Sequence, residues 1–217
     1  MKTEMEIADE QVGFRQGRGT RDQITNLRIL MHKAREHQQQ LYMCFVDFKK
    51  AFNSISHDKL WVTMMDMGYP VHLIDLLAKL YRKQPAKVKV VGTLSEWFRV
   101  KKGGRQGCVL SPCLFNILAE MVIRDGFQGG LQTGGRMVTN LCYADDIILL
   151  ATSEAELQEL VDHLDRISRE YSLLINVDKT KVMASDGTVC RILMQNEQLE
   201  QVDTFSSSYL VPDYRRW

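Results

Sequence analysis

Residues 141–150, LCYADDIILL, set two adjacent carboxylates, Asp145 and Asp146, inside a run that is otherwise almost wholly apolar. An ionised carboxylate buried without a partner costs roughly several kcal/mol. The pair therefore either sits at a hairpin tip and faces water, or holds a cation. A second acid repeats the pattern: Asp47 lies in YMCFVDF, residues 42–48, an aromatic-rich run consistent with a strand buried on both faces. Alone, each acid reads as a strand-end residue in solvent. Together, on neighbouring strands of one sheet, they would bring three carboxylates to one edge. Hard oxygen ligands without nitrogen or sulfur suit Mg²⁺, which binds through one or two carboxylates and substrate phosphates. Two such ions activate an attacking hydroxyl and steady a leaving pyrophosphate, so the pattern predicts nucleotidyl transfer. No G-x-x-x-x-G-K-[ST], H-E-x-x-H or G-x-S-x-G sequence offers a competing chemistry.

Around these acids the chain alternates short strands with helices. Residues 20–39 read as a helix capped by Thr20 and Gln23, and a second helix spans 57–67, stopped by Gly68 and Pro70. Pro70 starts another, with Leu73, Ile74, Leu77, Leu80 and Tyr81 on its inner stripe. AKVKVVG has the two-residue period of a half-buried strand, with EWFRV as its hairpin partner. Ser111 as N-cap and Pro112 at the first helical position open a strongly apolar helix. Residues 137–151 read as two strands joined at the acid pair, and Ser153 with Glu156 caps a helix whose Leu157, Leu160, Val161, Leu164, Ile167 and Tyr171 mark one face. Short strands from Leu174 to Phe205 turn near Asp186-Gly187 and Asn196-Glu197. This order predicts an α+β fold.

Composition narrows the setting. With 217 residues the chain suffices for one sizeable domain, and a net charge of +1 excludes a basic nucleic-acid binder by bulk charge. Local clusters remain, at Arg15, Arg18 and Arg21 and at Lys101, Lys102 and Arg105, and such clusters by themselves read as solvated surface. Five scattered cysteines without C-x-x-C spacing read as reduced core thiols of an intracellular protein. The polar, acidic start MKTEMEIADE is no signal peptide, and no apolar run approaches the roughly 20 residues of a membrane span.

YADD at 143–146, VDFKKAFNSI at 46–55 and RQGCVLSPCLFNILAE at 105–120 resemble the reverse transcriptase domain of LINE-type non-LTR retrotransposons. Group II intron reverse transcriptases share the pattern more distantly. GFRQGRGTRDQI at 13–24 is similar to the family's fingers segment, and INVDKTKVM at 175–183 to its later palm motif. The resemblance runs from about Gln11 to Phe205. It implies a polymerase palm of antiparallel strands backed by helices, with partial fingers, copying RNA into DNA with Mg²⁺, or Mn²⁺ in its place. The implied partners are RNA template, DNA primer and deoxynucleoside triphosphates, with no membrane. By the same resemblance Asp47, Asp145 and Asp146 hold two metal ions, and Lys179 assists proton transfer to pyrophosphate. Phe52 is the steric gate under the sugar, Gln106 and Gly107 lie against template and nucleotide, and Tyr143 places the doublet beside the primer end. Arg15, Arg18 and Arg105 are implied nucleic-acid contacts. Without the resemblance Phe52 reads as core and Lys179 as surface.

The sequence also departs from the family. Asn53 stands where a second acid is usual after the gate, and Ser172 where a glycine usually closes a helix. FSSSYLV at 205–211 replaces the usual F-x-Y-L-G, no thumb is expected, and residues 206–217 read as a diverged tail beyond a fingers/palm unit at 11–205, itself preceded by a polar tail at 1–10. The pattern suggests a truncated fragment, whose alternative function is a catalytically inactive nucleic-acid- or protein-binding remnant. A palm-type nucleotide cyclase is a third reading, disfavoured because its G-G-[DE]-[DE]-F turn is absent.

Overall fold

YMCFV has no residue facing water, and its place in the fold explains why. The computed structural model describes residues 12–13, 17, 19–82, 85–100, 102–104, 108–124, 129–133 and 135–203. In it β1 (Tyr42–Val46) is the central strand of a five-stranded sheet and is buried throughout. It pairs antiparallel with β9 (Asp146–Ala151) on one side and β10 (Lys181–Ala184) on the other. β8 (Asn140–Tyr143) flanks β9, and β13 (Glu200–Gln201) runs parallel to β10, for the order β13-β10-β1-β9-β8.

Alternation along these strands feeds two separate cores. Cys44, Val46, Ile147, Leu149 and Ala151 join a large cluster with helices α3 (His57–Asp66), α4 (Val71–Arg82), α5 (Leu110–Arg124) and α6 (Glu154–Glu170). Met43, Phe45, Ile148 and Leu150 join a smaller one with Leu30 and Ala34 of α1 (Thr20–Glu36) and Leu131 of β6 (Leu131–Thr133). A one-turn helix α2 (Ala51–Ser54) follows β1, and β7 (Arg136–Val138) pairs with β6. Fully burying one aliphatic side chain of such cores contributes about 1.5–3 kcal/mol. Helices segregated around a sheet that is antiparallel except at its β10–β13 edge make the α+β palm expected from the sequence.

Several boundaries differ from the sequence reading, each for a local reason. α1 is capped at Gly19 rather than Thr20, and the Asp22 carboxylate accepts the Gly19 N–H at 2.7 Å. α5 starts at Leu110, so Ser111 and Pro112 fall in its first turn, where a missing N–H costs nothing. At α6, Ser153 Oγ accepts the Glu156 N–H at 3.2 Å as expected. The Glu156 carboxylate, however, takes the Thr152 N–H and hydroxyl, at 2.7 and 2.8 Å, and the Gly130 N–H. Leu80 of α4 is 38% exposed and leaves the inner stripe to Ile74, Leu77 and Tyr81. β11 (Leu193–Met194) and β12 (Glu197–Gln198) form a hairpin turning at Gln195 and Asn196, both left-handed.

The largest difference concerns residues 85–99. They form the expected hairpin, in which β2 (Pro85–Ala86) pairs with β5 (Phe98–Arg99) and β3 (Lys89–Val90) with β4 (Thr93–Leu94). It is exposed rather than half-buried: Val90 is 62% and Leu94 57% accessible. The ribbon is not part of the central sheet, so alternation there marks strand geometry and not burial. Among the described residues no helix is long and apolar enough to cross a membrane. Cys44, Cys142 and Cys190 are buried, as the core reading expects, whereas Cys113 is exposed.

Candidate active site

The β1–β9 ladder ends at the pair Val46↔Ile147. One step further the same register sets Asp47 opposite Asp146, on the sheet face of Phe45 and Ile148. β8 returns from β9 at the pair Tyr143↔Asp146, leaving Ala144 and Asp145 as a two-residue tip. That tip places Ala144 at φ +57°, a left-handed conformation costing about 1–2 kcal/mol for a residue with a Cβ. Two chain reversals thus bring three acids to one edge.

Their electrostatics follow from this crowding. Burial pushes the Asp146 carboxyl up, and the charges of Asp145 and then Asp47 push it further, to about 7. Asp145 is raised chiefly by burial; a backbone hydrogen bond opposes the rise and the Asp47 charge adds to it. Lys179 lines the same crevice as Asp47 and Asp146, so the structure brings this candidate to the acids.

Asp47 is held by the segment after α6. The Asn176 side-chain amide donates to Asp47 Oδ2 at 3.2 Å, and the Asn176 N–H donates to the Asp47 carbonyl at 2.7 Å. Thr180, fully buried, accepts the Asp47 N–H at 3.3 Å and donates its hydroxyl to the Asn176 carbonyl at 2.9 Å. Sequence reasoning picked Lys179 from INVDKTKVM and missed these two neighbours; an Asn and a Thr beside a buried Ile were the available signal. It read Gln23 as a capping residue, whereas Gln23 is buried and donates through Nε2 to the Cys142 carbonyl at 2.9 Å, tying α1 to the acid-bearing hairpin. The Val12 N–H reaches the same carbonyl at 3.0 Å.

Phe52 is half-buried and packs on Phe115, with ring centroids 4.8 Å apart. Its carbonyl accepts the Gly104 N–H at 2.7 Å, and Ile55 accepts that of Gly103 at 2.8 Å. Gly103 has φ +93° and lies so close that a Cβ would meet the Asn53 backbone at 3.1–3.2 Å, so any side chain here would be strained and crowded. Tyr143 is half-buried against the smaller core. Arg15, Arg18, Arg105, Gln106 and Gly107 lie outside the described residues. Their flanks are fixed: Asn116 Nδ2 donates to the Gly13 carbonyl at 2.8 Å.

The donor set fits a hard divalent cation. It is all oxygen, negative and mutually repelling. Among the described residues no three acid, histidine or cysteine side chains form a ready-made metal cage. Mg²⁺ does not require one, because it keeps several waters and binds through one or two carboxylates with substrate phosphates. A larger cavity of about 460 Å³ lies away from the acids, between Arg28, His32 and Arg35 of α1 and Met183 of β10.

Comparison with known proteins shows the family and the fold. The family model described as reverse transcriptase (RNA-dependent DNA polymerase) matches residues 1–205. The chain is 29% identical over 167 residues to a Pol polyprotein of the retrotransposable element R2 of Nasonia vitripennis, covering 76% of this chain and 16% of that protein. It is 29% identical over 178 residues to the R2DM polyprotein of Drosophila melanogaster, covering 82% and 17%, and 27% identical over 175 residues to the RNA-directed DNA polymerase from mobile element jockey of Drosophila funebris, covering 78% and 19%. The chain thus spans less than a fifth of the length of these relatives. Among solved structures, a telomerase from Candida tropicalis in complex with a fragment of telomeric RNA superposes with a TM-score of 0.67 at 16% identity, covering 89% of this chain and 34% of that one. The apo telomerase truncated from its C-terminal domain gives 0.64 at 18% identity, covering 85% and 38%. At such identities the likeness carries the fold.

Proposed function

The chain belongs to the reverse transcriptase (RNA-dependent DNA polymerase) family, and we propose that its Asp47 edge adds deoxynucleotides to a primer 3′ end by two-metal-ion transfer. The observation that carries this reading is the meeting of Asp47, Asp145 and Asp146 at one sheet edge, where burial first, and then the charges of Asp145 and Asp47, push the Asp146 carboxyl up to about 7. Asp47, Asp145 and Asp146 would hold the ions, Mg²⁺ or Mn²⁺. When bound, the ions would supply charge to activate the attacking hydroxyl and to offset that of the leaving pyrophosphate.

The chain's own residues do the rest. Asn176 and Thr180 hold Asp47 in place, so its carboxylate need not reorganise during reaction. The primer 3′-hydroxyl loses its proton to water as its oxygen bonds to the α-phosphorus of a deoxynucleoside triphosphate and the bond to pyrophosphate breaks. Lys179 delivers a proton to the departing pyrophosphate. Phe52, braced on Phe115, blocks a ribose 2′-hydroxyl. Tyr143 positions the primer end, Gln106 and Gly107 the template and nucleotide, and Arg15, Arg18 and Arg105 contact phosphates of the RNA template and DNA primer. Residues 11–205 act as one fingers/palm unit.

Primer extension on an RNA template with Mg²⁺ tests this. The native chain should extend, Asp145→Asn should fall by about a hundredfold or more while staying folded, and Phe52→Val should admit ribonucleotides. A native chain that binds RNA but consumes no nucleotide would instead be the binding remnant.

A further inference from the structure

The exposed hairpin of residues 85–100 has a composition that solvent contact alone does not explain. Trp97 is 64% and Phe98 45% accessible, and Val91 at the tip is fully so. Three cations, Lys87, Lys89 and Arg99, stand there against one acid, Glu96. The Lys87 ammonium lies 4.7 Å over the Trp97 ring. At the hairpin's root is a cavity of about 290 Å³ lined by His57, Asp58, Trp61, Tyr81, Arg82 and Arg99. Its rings are braced edge to face, Tyr81 against His57 at 4.9 Å and against Trp61 at 5.9 Å.

Flat rings interleaved with cations match one kind of ligand. Unpaired bases stack on aromatic faces while their phosphates meet lysine and arginine. A duplex has no free base faces and could use only the cations. A protein interface would be depleted of lysine at its centre, whereas Lys87 sits over the principal exposed ring. The hairpin also leads to the site. Its second strand continues to Gly103 and Gly104, which bond to the Ile55 and Phe52 carbonyls, Phe52 being five residues beyond Asp47.

We propose that the 85–100 hairpin and the cavity at its root are a platform for single-stranded nucleic acid, which enters the carboxylate edge from the Phe52 side. The platform rests on the reading of that edge as a polymerase site. Its chemistry is shared by single-stranded RNA and DNA.

The test is fluorescence anisotropy of the full chain with labelled unstructured RNA, the same sequence as DNA, and a blunt duplex, all at one salt concentration. Trp97→Ala with Phe98→Ala should weaken both single strands by roughly tenfold or more and leave the duplex unchanged. Trp97→Tyr with Phe98→Tyr should restore binding, because stacking survives. Tighter binding of RNA than DNA, or the reverse, identifies the natural strand. Unchanged affinity in the alanine variant would overturn the platform and leave the hairpin to a protein partner. A loss that tyrosine does not restore, or that the duplex shares, would overturn it too. Asp145→Asn separates the two readings: it should bind oligonucleotides as the native chain does while losing extension. A native chain that does not extend primers, with single-strand binding that the Trp97 and Phe98 alanine changes still weaken, would sink the polymerase reading and not the platform.

Discussion

Two hairpins of this molecule break the usual match of polarity to burial, in opposite directions. The 140–151 hairpin is sunk between two cores, yet carries Asp145 and Asp146 at its tip. The 85–99 hairpin stands in solvent, yet presents Val90, Leu94, Trp97 and Phe98. Both read as strand pairs, because alternation reports backbone geometry. Neither exception is one the fold needs, since buried like charges repel and an indole left 64% accessible buries little. Their difference teaches that misplaced chemistry is the signal to follow: crowded carboxylates suit a hard divalent cation, and aromatics outside a core suit a flat ligand.

The comparison is broken most easily by stability. Leu149→Ala, on the buried hairpin, should cost about 2–5 kcal/mol in denaturant unfolding, whereas Val90→Ala should change it by about 0.5 kcal/mol or less. Equal costs would mean the exposed ribbon packs on something in solution.

Next in size is a pH effect confined to the acid hairpin. Burial and its acidic neighbours push the Asp146 carboxyl up to about 7 in the folded chain, against 3.8 for an unperturbed carboxyl. The folded chain therefore binds more protons between these limits. Without metal, stability falls as pH rises from about 4 to about 7 and levels off above. Asp146→Asn should flatten part of this decline in unfolding midpoints taken at pH 5 and pH 8. A native chain whose midpoint does not fall over that interval, or a mutant with the native slope, would contradict the crowding of the three acids.

The smallest effect lies at the end of α6. Ser172 holds φ +62°, and the Leu173 N–H closes on the Ser168 carbonyl at 2.8 Å. Ser172→Gly should stabilise by up to about 1 kcal/mol, visible as a higher melting temperature. A lower one would show that the serine side chain is itself required.

Much of this was legible in the residues. The apolar runs gave the strands, the period of Leu157, Leu160, Val161 and Leu164 gave the face of α6, and three acids ending apolar runs gave the site edge. Caps slipped by a residue at α1, where Asp22 accepts the Gly19 N–H, and at α5, which starts at Leu110; at α6 Ser153 held its place but Glu156 turned to Thr152 and Gly130. The hydrogen bonds that hold Asp47 and Cys142 were illegible for a different reason. Asn176 and Gln23 act across separations of 129 and 119 residues, and no local period announces such partners. Exposure of the 85–99 ribbon was likewise invisible, because nothing in its own sequence says that no helix will cover it.

The central claim is that the three carboxylates converge for a divalent cation, and Mn²⁺ titration followed by the spin-resonance signal of the free ion tests it most directly. The native chain, with a deoxynucleoside triphosphate present, should remove Mn²⁺ saturably at pH 7.5, and Asp47→Asn and Asp145→Asn should each weaken that binding about tenfold or more while remaining folded. Identical Mn²⁺ binding by all three proteins would contradict the account.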